Sequence, residues 1–121
     1  MPTFLTIGYG SSAGYEATAP ALRDKAHAHD AWLVSQGAVI GAAGTPTQVR
    51  NPECSGVTTT DGPFLRADLR LAGFALLEAA NLEEAVDRVA TTPCAVAHGV
   101  VEVWPLIAML DANGQTGTIP A

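Results

Sequence analysis

Basic residues are scarce in this sequence, and their scarcity limits the partners that the chain can bind. Lys and Arg together number 6 against 12 acidic residues, which gives a formal net charge of -6. The basic residues are scattered along the chain and form no stripe. Because nucleic-acid binding requires cationic side chains that neutralise phosphates, we expect no nucleic-acid partner.

Cysteine is also scarce, and long apolar runs are missing. Cys54 and Cys94 are the two thiols, without a CxxC spacing, so we predict neither a zinc site nor a disulfide framework. No apolar stretch has the length needed to cross a bilayer. The N-terminus lacks the basic and apolar regions of a signal peptide. We therefore expect a cytoplasmic protein with no membrane partner.

The residues that are present are typical of one folded domain. The chain has 121 residues, of which 48% are hydrophobic and 15% are charged. This composition favours a packed core over disorder. A chain of this length leaves much of its surface uncovered, which favours burial of some of it in a dimer.

Turn residues and hydrophobic patterns predict the element order β-α-β-β-β-α-β. Residues 8–14, rich in Gly and Ser, are predicted to form a loop, and Asp61 and Gly62 a turn. The predicted strands cover residues 3–9, 38–42, 56–60, 71–78 and 98–104.

Two helices are predicted, and each has an apolar stripe. The first covers residues 20–36. The second covers residues 81–90, with Asn81 as its N-cap and an ion pair between Glu84 and Arg88. The residues expected to face the core are Leu22, Ala26, His29 and Leu33 in the first helix, and Leu82, Ala85, Val86 and Val89 in the second.

These elements predict an α+β fold, with a ferredoxin-like antiparallel sheet and two helices on one face. The other sheet face would be bare. We therefore expect a homodimer that covers it, forming a dimeric α+β barrel with a cleft between the protomers. The domain is predicted to span residues 1–106. The tail, residues 107–121, is expected either to pack on the partner subunit or to fray.

The segment Thr60 to Phe64 contains the motif Asp-Gly-Pro-Phe, and the sequence around it resembles the DGPF group of the YCII-related family. The resemblance covers roughly residues 3–106 and includes the stretch Gly99 to Pro105. Two features depart from the family pattern. Residues 65–69 replace a more highly charged stretch, and Trp104 replaces the usual Arg before the final Pro.

The resemblance implies a dimeric ferredoxin-like fold with a catalytic His and Asp near the dimer cleft. His29 is the better match to the family His. The family Asp precedes a Pro after the second helix, where this chain has Thr92 before Pro93, so Asp61 is the proposed substitute. One relative is linked to removal of chloride from a chlorinated hydroxyquinone, and others are associated with sigma factors.

The residue types themselves leave two interpretations open for each candidate catalytic residue. His29 is either a general base or a core imidazole with a satisfied hydrogen bond. Asp61 is either a turn residue or a proton-transfer group. Strand alternation puts Val101 and Val103 of the last strand on the face expected to pack beneath the helices, and Glu102 on the opposite face. There it is either a cleft acid or base, or a partner for Arg66 or Arg70 of a second subunit.

Three aromatic residues, Tyr9, Phe64 and Trp104, are predicted to contact a substrate. His27 and His29 do not suit a metal, because residues two apart on a helix point in different directions. No dinucleotide-binding, Walker or nucleophile-elbow motif occurs, so we expect no cofactor.

Two functions are compatible with these features. The first is cofactor-free acid/base catalysis, such as elimination, isomerisation or cyclisation of a small organic molecule by a His–carboxylate pair. The alternative is a non-catalytic module that binds a ligand or a protein partner. The fold cannot decide between them, because this architecture carries unrelated functions.

Overall fold

The chain contains both strands and helices, and the structure, a computed structural model, describes residues 1–118. A 3-10 turn at Pro52–Cys54 lies between the third and fourth strands. In chain order the elements are β1 (Thr3–Gly10), α1 (Ser12–Ala17), α2 (Pro20–Ser35), β2 (Val39–Ala42), β3 (Thr47–Arg50), β4 (Thr58–Asp61), β5 (Arg70–Glu78), α3 (Leu82–Val89), α4 (Pro93–Val96), β6 (Val100–Pro105), β7 (Ala108–Leu110) and β8 (Thr116–Thr118).

Four strands form the main sheet in the order β2-β5-β1-β6, and every neighbouring pair is antiparallel. This order is compatible with a ferredoxin-like arrangement, and the predicted α+β class with an antiparallel sheet is confirmed. The hairpin β3–β4 is inserted between β2 and β5 and forms its own two-stranded sheet. A second small hairpin, β7–β8, follows β6.

The hydrophobic core lies between the helices and one face of the sheet. On β1, Phe4 is paired with Leu77 of β5, and each side chain is 3% exposed. Leu33 of α2 and Val89 of α3 join the same cluster. Val101 and Val103 of β6 also pack against the core, so the predicted packing of these valines beneath the helices is confirmed.

The predicted core stripes of the helices are only partly correct. In α2, Ala26 and Leu33 are buried, but Leu22 is 52% exposed and His29 is half-buried. The buried side of α2 is therefore rotated toward Asp30, which lies between Ala26 and Leu33 at helical spacing.

In α3, Ala85 and Val89 are buried, whereas Leu82 and Val86 are 52% and 47% exposed. This eight-residue helix turns only two of its four apolar residues into the core. Its predicted cap and ion pair are confirmed. The side chain of Asn81 accepts from the backbone N–H of Glu84 at 2.8 Å, and Arg88 pairs with Glu84 at 2.8 Å.

The predicted loop at residues 8–14 is wrong, because α1 begins within it at Ser12. Local hydrogen bonds offset the low helix propensity of Gly14. The side chain of Ser11 accepts from the backbone N–H of Gly14 at 3.0 Å. The hydroxyl of Thr18 donates to the carbonyl of Gly14 at 2.8 Å. Both ends of this six-residue helix are thereby capped by side chains.

The chain after α3 also differs from the prediction, which placed no helix at α4. The last sheet strand begins at Val100 rather than at His98, whose φ is 62°. The backbone N–H of Gly99 still donates to the carbonyl of Cys94 at 3.0 Å, so these residues complete the turn that follows α4. The predicted tail contains β7 and β8, and its residues 119–121 lie outside the described part of the chain.

None of the helices within residues 1–118 combines the length and the apolar character that a membrane crossing requires.

Candidate functional site

A cavity of about 430 Å³ lies on the helix-covered side of the sheet, between α2, α4 and the strands. Small residues line its floor, among them Gly8 on β1, Ala42 on β2, and Gly73 and Ala75 on β5. Because these positions carry little or no side chain, the sheet cannot fill the space beneath α2. The volume is in the range of ordinary small-molecule sites. We call this space the main cavity.

Asp30 brings a carboxylate to the main cavity from α2. It lies on the same stripe as the buried residues Ala26 and Leu33, so folding draws it partly out of water. Burial raises the pKa of Asp30, while the nearby imidazoles of His27 and His29 lower it in part. An acid with a raised pKa in a largely apolar cavity is a candidate for proton transfer.

His27 lines the main cavity three residues before Asp30, a spacing that puts both residues on the same side of α2. Its Nε2 is joined to the hydroxyl of Tyr15 by a hydrogen bond of 2.9 Å. The guanidinium of Arg23 lies 4.7 Å from the centre of the Tyr15 ring. Tyr15, on α1, therefore orients His27 through this hydrogen bond, and His27 remains part of the cavity wall.

Cys94 enters the main cavity from α4. Burial raises the pKa of its thiol, and the negative charge of Asp30 raises it further. Both effects favour the protonated thiol, which is a poor nucleophile. Cys94 is thus better suited to form part of the cavity wall than to attack a substrate.

His29 does not line this cavity. Its Nε2 lies 2.5 Å from the backbone carbonyl of Arg88 on α3, and its ring stacks on Trp32 with the centroids 5.6 Å apart. The carbonyl can only accept, so Nε2 carries the hydrogen. This bond links α2 to α3 and matches the core imidazole that the sequence left open as one interpretation of His29.

The opposite face of the sheet carries a different set of predicted site residues. Glu102 and Trp104 of β6 are paired with Ile7 and Leu5 of β1. Tyr9 lies two residues after Ile7 on β1, so all three side chains point to this face. Of the six predicted site residues, these three are the ones that the fold brings onto one surface. We call it the open face.

Glu102 influences Tyr9 on the open face. A polar contact with the side chain of Glu102 is the main cause that raises the pKa of Tyr9, followed by burial and by the negative charge of Glu102. The contact falls short of an ordinary hydrogen bond in distance or angle. Within residues 1–118, Oε1 of Glu102 is buried and has no hydrogen-bond partner.

The two remaining predicted site residues lie on or next to the inserted hairpin. Asp61 ends β4, where it is exposed and paired with Thr47. Phe64 is 74% exposed, and its ring lies 5.8 Å from the guanidinium of Arg50. Within one chain, His29, Asp61 and Glu102 therefore lie in three separate regions and form no shared site.

Sequence reasoning missed His27 and Asp30 as site residues. The signal was present in the spacing: Arg23, His27 and Asp30 follow at intervals of four and three along α2. Asp30 also lies four residues after Ala26 and three before Leu33, so an acidic residue interrupts an otherwise apolar stripe. Acidic residues are seldom buried without a role.

Comparisons with known proteins give no family for this chain. No family model matches the sequence, and no curated protein matches it either. Within residues 1–118, no three His, Cys, Asp or Glu side chains come together in a way that could hold a metal ion.

Proposed function

We propose that this chain binds a small, largely apolar organic molecule in the main cavity and moves a proton on it with Asp30 and His27. The observation that carries the proposal is the position of Asp30, a partly buried carboxylate of raised pKa at the wall of a mainly apolar cavity. A few polar groups in an apolar cavity orient a ligand and define where its chemistry occurs.

Asp30 is the proposed base of this reaction. Its raised pKa makes the carboxylate a stronger base than an exposed Asp, which suits removal of a proton from carbon. His27 stabilises the carboxylate by its charge and is oriented by the hydrogen bond to Tyr15. Elimination, isomerisation and cyclisation are the reaction types that such a pair serves without a cofactor.

The resemblance to the YCII-related family supports the same location. The position of the family Asp is occupied here by Thr92 before Pro93, and both residues line the main cavity. The hydroxyl of Thr92 donates to the carbonyl of Val89 at 2.6 Å. In this chain, Asp30 supplies a carboxylate to the cavity from α2 instead. We therefore propose His27 and Asp30 as the catalytic pair, in place of the pair His29 and Asp61 expected from the sequence.

We further propose that two copies of the chain associate through the open face to form a dimeric α+β barrel. Large apolar side chains there remain exposed in the single chain, including Val39 at 57%, Val100 at 52% and Trp104 at 50%. An apolar sheet face of this extent favours a covering partner. A second copy offers the same face, as two-fold symmetric dimers require.

A non-catalytic interaction module is the alternative, and the inserted hairpin supports it. Phe64 and Leu65, beside the end of β4, are 74% and 78% exposed. Neither belongs to the main sheet. Exposed apolar residues beside an inserted hairpin are suited to contact another protein.

A binding experiment tests the main proposal. Wild-type protein is screened by ligand-detected NMR against small aromatic and oxygenated compounds, and the sites are located from backbone amide shifts. Ala75→Leu, which fills part of the main cavity, is expected to abolish binding. Ala31→Leu, on the exposed side of α2, is the matched control. Equal binding by wild type and Ala75→Leu would overturn the cavity as the site.

Proton transfer is then measured as exchange of a carbon-bound hydrogen of the bound compound in D2O. Asp30→Asn is expected to stop this exchange while binding persists. Asp24→Asn, an exposed carboxylate on the same helix, is expected to exchange at the wild-type rate. Binding without exchange in the wild type would leave the non-catalytic alternative as the better description.

A further inference from the structure

A second cavity adjoins the main one. It has a volume of about 340 Å³ and lies between α1, the start of β5 and α4. Ala72, Pro93 and Cys94 line both cavities, so the two share a wall. A molecule that fills the main cavity therefore has space to extend a group toward the second one, which we call the side cavity.

The two cavities differ in whether a Lys or Arg lines them. The main cavity contains Asp30 and His27 but no Lys or Arg. The side cavity contains Arg70, the only Lys or Arg that lines either of them. Within residues 1–118, Arg70 forms no ion pair. Its guanidinium is therefore free to bind an anion, which it can do through two parallel hydrogen bonds.

The placement of Arg70 follows from the sheet. It begins β5 and is paired with Gly10, so no neighbouring side chain on β1 covers it. Ser12 lines the same space and has a hydroxyl group. An anionic group placed here would meet the guanidinium of Arg70 and this hydroxyl, with Glu16 as the one acidic residue of the lining. In the main cavity, the same group would face the carboxylate of Asp30 and be repelled.

We propose that the ligand is a small organic carboxylate whose apolar body occupies the main cavity and whose carboxylate binds Arg70 in the side cavity. This inference depends on the proposed function, since it assigns a chemical class to the ligand of the same site. It also gives the ligand one orientation. The carboxylate points toward α1, and the carbon that gives up its proton lies on the apolar side, next to Asp30.

Glu16 provides a second test of the proposal, because it also lines the side cavity. Its carboxylate weakens the field that Arg70 offers to an anion. Substitutions of the two residues must therefore have opposite effects. Arg70→Gln is expected to weaken carboxylate binding, and Glu16→Gln is expected to strengthen it. A purely structural role for either residue would not produce this change of sign.

The test uses two matched pairs of probes, benzoate with benzamide and phenylacetate with phenylacetamide. Each amide has nearly the shape of its acid but lacks the charge. Dissociation constants are measured by NMR titration at neutral pH for the wild type and for Arg70→Gln, Glu16→Gln and Arg66→Gln. Arg66 is exposed and lines neither cavity, so Arg66→Gln controls for the loss of one positive charge.

The acids are expected to bind the wild type about tenfold more tightly than the amides, the size of effect that one charge-assisted hydrogen bond produces. Arg70→Gln should remove this preference and leave amide binding unchanged. Glu16→Gln should increase it several-fold, as loss of a nearby like charge allows. Arg66→Gln should behave as the wild type.

Three results would overturn the inference. Amides that bind as tightly as the acids, with Ala75→Leu blocking both, would leave the proposed cavity site intact and remove only the carboxylate assignment. An equal loss of acid binding in Arg66→Gln and Arg70→Gln would show attraction by overall charge alone. Failure of all four probes to bind the wild type would count against both the carboxylate and the cavity site. Unfolding curves of each variant verify that it is folded.

Discussion

The two faces of the main sheet are made by the same strands, yet they are completed in different ways. On the covered face, Phe4 and Leu77 are each 3% exposed beneath the helices. On the open face, Val39 and Trp104 remain about half exposed, and Glu102 has a buried oxygen without a partner among residues 1–118. One face is thus covered by the chain itself, and the other is left open in the single chain. Alternation along a strand separates the residues that stabilise the monomer from those that offer a contact surface.

The largest expected effect compares two adjacent leucines of β5. Leu77 lies in the core and Leu76 on the open face. Leu77→Ala is expected to reduce the free energy of unfolding by about 3 kcal/mol, because it leaves a cavity in a packed cluster. Leu76→Ala should cost less than about 1.5 kcal/mol in the monomer and should weaken the proposed dimer. Urea unfolding at low protein concentration measures the first effect, and analytical ultracentrifugation (sedimentation) of the dimer measures the second. Equal losses of monomer stability would contradict the difference between the faces.

Two Gly→Ala substitutions, one on each face of the sheet, test the same comparison by adding a methyl group. A Cβ at Gly8 on the covered face would lie 2.8 Å from Sγ of Cys94. A Cβ at Gly41 would lie 2.6 Å from the ring of Phe74, which is on the open face and is 38% exposed. We expect Gly8→Ala to cost about 1–3 kcal/mol by overpacking. Gly41→Ala should cost under about 1 kcal/mol, since the Phe74 ring can move toward solvent.

A rescue experiment checks the cause of the Gly8 effect. Adding Cys94→Ala to Gly8→Ala removes the sulfur atom and should restore part of the lost free energy of unfolding. Chemical denaturation of the two single variants and the double variant gives the coupling directly. Strict additivity of the two substitutions would show that the contact with Cys94 is not the source of the destabilisation.

Glu102→Gln tests how the charge of Glu102 affects the open face. It removes the negative charge and replaces a charged acceptor by a weaker amide oxygen, so the raised pKa of Tyr9 should fall toward its ordinary value. NMR titration of the Tyr9 ring carbon measures the change, with Tyr15 in the same spectra as a reference. Loss of a buried charge from the open face should also tighten the proposed dimer by about tenfold. An unchanged Tyr9 titration would contradict the contact.

The smallest expected effect concerns Asp30. Burial raises its pKa in the folded chain, so the folded state holds this proton to a higher pH than the unfolded state does. Its contribution to stability is present below the unfolded pKa and is lost as the pH rises through the folded pKa. Asp30→Asn should therefore stabilise the protein near neutrality by about 0.5 kcal/mol, a value reduced by solvent screening.

Urea unfolding between pH 3 and 7 tests this prediction. Asp30→Asn should flatten the decline of stability with rising pH, and Asp24→Asn should follow the wild type. A decline of equal slope in wild type and Asp30→Asn would mean that another group produces it.

Local patterns in the sequence identified most of the fold. The spacing of apolar residues found both long helices, and Asn81 marked the start of α3 because its side chain caps that helix locally. The position of α1 was missed because Ser11 and Thr18 stabilise it through individual hydrogen bonds. Such bonds leave no periodic pattern in a six-residue helix.

The site was harder to predict, because it depends on contacts between distant segments. His29 lies on an apolar spacing, but its partner is the carbonyl of Arg88, 59 residues away. Asp30 faces the main cavity because α2 is rotated by about one residue from the predicted stripe. A helix with an exposed Leu22 and a half-buried Asp30 contradicts simple amphipathic reasoning. The rotation depends on packing of α2 against the sheet and against other helices, which local spacing does not show.

The inserted hairpin is attached to the fold at a closed base. Ala42 at the end of β2 is paired with Gly73 on β5, and the N–H of Ala43 donates to the carbonyl of Ala72 at 2.9 Å. The chain thus leaves and re-enters the sheet at two hydrogen-bonded neighbours. Residues 44–69 can then vary in length and sequence with little effect on the core. For protein engineering, this base is the natural point at which to exchange the hairpin for another binding loop.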